Sequence, residues 1–192
     1  IADLILMVVI YIKSSDRNLA KRFAVYTYAI AHWSFFVFAC TITTSYNLSY
    51  LLCQICHIGG VFVPVAFLHF VQEYTNTRSL SLRIFMRFQY FVAFVLSFIL
   101  IFKPRLFIAN VVPKLTFNFF PEPGPVFIIW NVLMILCVVT AFVVLGNAAF
   151  QKKENDIKQE FINIPENVRR EWRDFYAKRL KEIRLFEISR IL

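Results

Sequence analysis

A chain of 192 residues that is 59% hydrophobic, 18% aromatic and only 17% charged, where soluble domains carry ~25% charge, has the composition of a membrane protein. Its formal net charge of +9 reads as contact with anionic lipid rather than with nucleic acid, because the basic residues stand beside the ends of apolar runs. A mean hydropathy of +0.62 excludes an ordinary soluble fold.

The chain opens with "IADLILMVVIYI" (1–12), an apolar run too short to span. It begins at Ile1 rather than Met, and no small-residue cleavage site follows, so it is expected to be the remainder of a longer first helix rather than a signal-peptide core. Between Arg22 and Glu73 there are 50 residues without Asp, Glu, Lys or Arg. As one helix they would extend roughly 75 Å, more than twice the ~30 Å hydrocarbon core, so the run must cross, turn and cross back. The polar island "TTSYNLS" (43–49) is the natural turn, leaving spans near 23–42 and 50–72. "FQYFVAFVLSFILIF" (88–102) and "GPVFIIWNVLMILCVVTAFVVLG" (124–146) supply two more. The expected fold class is all-α: a multi-pass transmembrane bundle of about five spans over residues 1–150, with a cytoplasmic amphipathic helical tail over 151–192.

Lys and Arg in the connections set the orientation. Lys13, Arg17, Lys21, Arg22, Arg78, Arg83, Arg87, Lys152 and Lys153 fall on one side, nine in all, against Lys103, Arg105 and Lys114 on the other. The nine-residue side is expected to be cytoplasmic, with the N-terminus outside and the C-terminus inside a cell membrane. In the tail, Pro165 suits a first helical turn and Glu166 suits the dipole of the helix it opens. Val168, Trp172, Phe175, Tyr176, Leu180, Ile183, Phe186 and Ile191 share one broad face at helical spacing. That face needs a partner surface: a second copy of the chain in a homodimer is the expected one, and the rest of a cytoplasmic module or the membrane interface are the alternatives.

"HWSFFVFA", then "ICHIGGVFVPVAFLHFVQEYT", then a basic loop, a span and an outer segment ending "FFPEPGPVFIIWNVLMILCVVTAFVVL" together resemble the N-terminal seven-helix membrane region of histidine kinases. The resemblance covers roughly residues 20–150. It implies an input module ahead of a bacterial signalling domain, with the charged tail standing where two more apolar helices would follow, so a truncated member of about five helices is expected. His32, His57 and His69 all lie in predicted membrane helices, and Gly59, Gly60, Gly124 and Gly146 form no nucleotide-binding cluster. No kinase activity, no other catalysis and no cofactor are expected of this chain.

Several groups are candidate site residues, each with a plainer alternative. "CQICH" (53–57) has the Cys-x-x-Cys-His spacing of c-type haem attachment, so a membrane redox protein using Cys53, Cys56 and His57 is a rival function, against packing inside an apolar helix. Gly59, Gly60 and Pro64 permit close helix approach and a kink, hence a hinge or static packing. His69 and Glu73, one turn apart, form either a proton-sensitive pair or an interfacial one. His32, Trp33, Gln54, His57, Asn131 and Thr140 line a pocket if they converge, or make separate interhelical hydrogen bonds. The Phe- and Pro-rich outer segment 103–125 is either a functional loop or an aromatic collar. A membrane-embedded sensor domain with a downstream cytoplasmic signalling partner is the expected function. A transporter fragment, the other rival, would call for paired acidic residues in mid-membrane, and the predicted spans carry none.

Overall fold

Inside a bilayer an uncharged backbone has no hydrogen-bond partner but itself, so apolar runs of this length must form helices. The computed structural model describes residues 2–114, 117–163, 172–173 and 175–182. Helix α1 covers Ala2–Lys13 and α2 covers Arg17–Ile42. Asp16 starts α2: its Oδ1 accepts from the N–H groups of Asn18 at 2.9 Å and Leu19 at 3.0 Å, which satisfies two of the donors a helix start leaves open.

Helices α3 (Tyr46–Gly60) and α4 (Val63–Tyr74) belong to one apolar run interrupted at Val61 and Phe62. Pro64 has no amide hydrogen to offer the Gly60 carbonyl, so the i to i+4 ladder fails there. Val61 N–H bonds the His57 carbonyl at 3.0 Å and Phe62 N–H bonds that of Gly59 at 3.1 Å, closing the break as a tight turn. Just before it, the two glycines lie against α2. A Cβ on Gly59 would collide with the His32 ring, and one on Gly60 would stand 2.9 Å from Cδ1 of Trp33. The missing side chains are what lets the two helices approach.

Helix α5 covers Leu80–Phe102 and α6 covers Phe127–Ile162. Among the described residues, four helical stretches are long and apolar enough to cross a membrane: α2, α3 with α4, α5 and α6. The 12-residue α1 packs beside α2 and is shorter than a crossing requires. Phe35, Phe91 and Phe98 are exposed on the helix surfaces, an arrangement that suits lipid and would be a liability in water.

The all-α expectation needs one correction. The segment after α5 is not an irregular loop: a 3-10 turn at Pro104–Leu106 leads into strands β1 (Ile108–Lys114) and β2 (Phe117–Pro123). They pair antiparallel, Ile108 with Pro123 and Val112 with Phe120. A lone hairpin is marginal by itself, and this one is held from below. Tyr46 donates its phenol hydrogen to Oδ1 of Asn110 at 2.7 Å, and Tyr50 donates to the Ile108 carbonyl at 3.0 Å. Gly124 lets the chain leave β2 tightly, since a Cβ there would strike the Leu106 carbonyl.

The chain forms two compact units, residues 1–141 and 142–192. In the first, Cys53, Leu96, Leu100, Phe107, Ile108 and Trp130 form the buried core. In the second, Ile157 and Tyr176 are buried together, with Phe150 and Leu180 packed against them. Arg179 pairs with Glu160 at 3.8 Å. The change from apolar to charged sequence at Gln151 falls inside an unbroken α6.

Candidate functional site

Cys40, near the end of α2, and Cys53, in α3, form a disulfide across the short turn between the two helices. Beside it Ser49, fully buried, donates from Oγ to the Cys40 carbonyl at 3.3 Å. One turn after Cys53, His57 brings Nδ1 to 2.7 Å from the Cys53 carbonyl. A carbonyl only accepts, so Nδ1 carries the hydrogen, and in the neutral ring Nε2 keeps its lone pair.

Around that imidazole stand three aromatic rings brought from elsewhere in the chain. Phe107, ahead of β1, lies 5.5 Å away, Phe127 at the start of α6 lies 6.1 Å away, and Trp130 one turn later lies 6.0 Å away, all edge-on. These rings also touch one another, Phe127 and Trp130 at 5.0 Å. Edge-to-face contacts of this kind add to burial and fix ring orientation. Next to the cluster is a cavity of about 400 Å³ walled by α2, α3 and α6 and roofed by the hairpin. Trp33 and Val37 line one side, the Cys40–Cys53 disulfide and His57 the next, and Phe120 to Pro123 the roof. Its walls are apolar apart from a few groups, chiefly His57, Thr41 and Glu122.

The candidate residues read from the sequence separate in the structure. His57 and Trp33 do meet at the cavity, and Gly60 is seated on Trp33. Gly59 is seated on His32, whose Nδ1 is buried without a hydrogen-bond partner among the described residues. Pro64 follows the helix break. His69 and Glu73 turn to different partners: Nδ1 of His69 lies 3.0 Å from the Tyr90 hydroxyl, and the Glu73 carboxylate accepts from Arg78 at 3.1 Å. Gln54 donates to the Leu100 carbonyl at 2.7 Å, and Thr140 bonds within its own helix to Leu136.

The residues of "CQICH", the motif behind the rival redox reading, have other partners in the structure. The Cys53 sulfur is joined to Cys40, and Cys56 is buried with Sγ 3.5 Å from the Trp33 carbonyl. Among the described residues no three His, Cys, Asp or Glu side chains are grouped to hold a metal ion. In the tail, Tyr176 and Leu180 lie against Ile157 and Phe150 of the same chain, while Trp172 and Phe175 are exposed and pack on each other at 5.4 Å. Ile183, like Pro165, lies outside the described residues.

Cys40, Phe107, Phe127 and Trp130 escape a reading of the sequence, because nothing local marks them. A pair of cysteines 13 residues apart on either side of a predicted turn is the one signal that points toward part of the site. The family model for the N-terminal 7TM region of histidine kinase matches residues 1–164. No curated protein and no solved structure matches the chain.

Proposed function

Because this chain belongs to the family of N-terminal 7TM regions of histidine kinases, multi-pass membrane input regions of signal-transduction proteins, we propose that it receives its stimulus at the hairpin end of the bundle and passes the result along α6 to a cytoplasmic signalling domain. The observation that carries this reading is the cavity of about 400 Å³, which three membrane helices and the hairpin share, so that filling it acts on all of them at once. The nine-to-three distribution of basic residues supports a hairpin end outside and a cytoplasmic C-terminus. The Cys40–Cys53 disulfide supports the same orientation, since such bonds persist on the oxidising side of a membrane.

In this account the break at Val61 and Phe62 is the place where α3 and α4 change their angle, with Gly59 and Gly60 as the sliding contact on α2. A stimulus shifts the equilibrium only by its difference in affinity for the two arrangements. The chain itself catalyses nothing, and a homodimer brings Trp172 and Phe175 of two copies together. Single introduced cysteines test the orientation. Labelling with a membrane-impermeant reagent from outside should reach Ser45→Cys and spare Ser79→Cys, and the opposite pattern would remove the proposal.

A further inference from the structure

We propose that the cavity beside His57 is a binding site for a small, uncharged, hydroxyl-bearing ring compound, whose hydroxyl donates to His57. The proposal deepens the sensory reading and rests on it for its biological meaning, though not for its chemistry. Two observations converge on that ligand class.

The first is volume and lining. About 400 Å³ is within the ~300–1,000 Å³ of small-molecule sites and would hold roughly a dozen waters at ~30 Å³ each. Such waters would find few partners, because the wall is almost wholly apolar, with Trp33, Phe107, Phe120, Phe127 and Trp130 among its residues. Aromatic rings accept another ring on face or edge. The second is a lone acceptor. His57 is 7% exposed, its Nδ1 hydrogen is committed to the Cys53 carbonyl, and Nε2 has no partner among the described residues.

An unmet acceptor in an aromatic wall calls for a group that donates, and a neutral ring hydroxyl does so: O–H to His57 Nε2. A carboxylate would bring an uncompensated charge into apolar walls, with Glu122 adding like-charge repulsion. A lipid acyl chain would leave the His57 acceptor unpaired.

The test compares 2-naphthol with naphthalene and 2-methoxynaphthalene, titrated calorimetrically into the full chain in phosphatidylcholine nanodiscs, with empty nanodiscs subtracted. 2-Naphthol should bind saturably, and about tenfold more tightly than either analogue, the worth of one good hydrogen bond. His57→Phe keeps a ring and removes the acceptor, and it should erase that preference while leaving naphthalene unchanged. Equal affinity for all three compounds, no saturable binding, or a bound phospholipid that 2-naphthol does not displace would overturn the proposal. The wild-type ligand comparison decides the matter even where a variant fails to fold. A hydroxyl preference that depends on His57, without any change in crosslinking of Trp172→Cys between copies, would keep the site and remove the sensory reading instead.

Discussion

The phenol of Tyr46, in the first turn of α3, donates to Oδ1 of Asn110 in β1 at 2.7 Å across 64 residues of sequence. That bond, with Tyr50 to Ile108, makes the roof of the cavity an extension of α3. The two bonds tie the hairpin to the helix that carries Cys53, His57 and the two glycines.

Removing the Tyr46 hydroxyl should loosen the roof without disturbing the helices. Tyr46→Phe is expected to cost about 1 kcal/mol, the net worth of one hydrogen bond. Amide exchange in β1 should rise while exchange in α5 stays constant. Unchanged β1 protection would mean that the hairpin is held mainly by Phe107 and its neighbours.

Gly59→Ala forces a methyl group into the His32 ring and is expected to destabilise the bundle by about 1–3 kcal/mol, as overpacking does. In a His32→Ala background the same change should cost far less. Equal costs in both backgrounds, read from thermal unfolding in one detergent, would break the assignment of this contact.

The disulfide closes a loop of 13 residues, so Cys53→Ser should lower stability by about 3 kcal/mol on the chain-entropy account. Protein made in a host able to assemble c-type cytochromes should show no Soret band and no added haem mass. A stoichiometric covalent haem lost in Cys53→Ser would reinstate the redox function.

Gln89 in α5 is 2% exposed, and both polar atoms of its side chain are without partners among the described residues. A buried unpaired amide costs about 1–3 kcal/mol, so Gln89→Leu, nearly equal in size, should raise the thermal midpoint. A lowered midpoint would show that the amide has a partner, such as an ordered water.

The helices were legible because lipid removes the alternatives: a charge-free run from 23 to 72 that must reverse at a polar turn has few solutions. The break at Val61 and Phe62 was legible too, since Pro64 lacks the donor that Gly60 needs. The hairpin was not. Pro113, Pro121 and Pro123 argue against strands wherever a ladder needs N–H groups, and here they sit in a short two-stranded ribbon held by side chains of α3. His57 could be named as a candidate, but its ring neighbours come from residues 50 and more positions away, which no spacing rule reaches. For His69 and Glu73 a one-turn spacing allows a pair but does not name their hydrogen-bond partners, Tyr90 and Arg78. For the tail, spacing found an apolar face but not its neighbour, and Tyr176 and Leu180 meet Ile157 and Phe150 of their own chain.

The central claim is that occupation of the cavity is felt at the far end of α6. Val37 lines the cavity, and Val37→Trp fills part of it. In native membranes, with Cys56 and Cys137 replaced by alanine, the yield of Trp172→Cys crosslinked dimer should change at least about twofold when Val37→Trp is added, the mark of a shifted two-state equilibrium. An equal yield with and without the filled cavity, or no crosslinked dimer at all, would contradict the account.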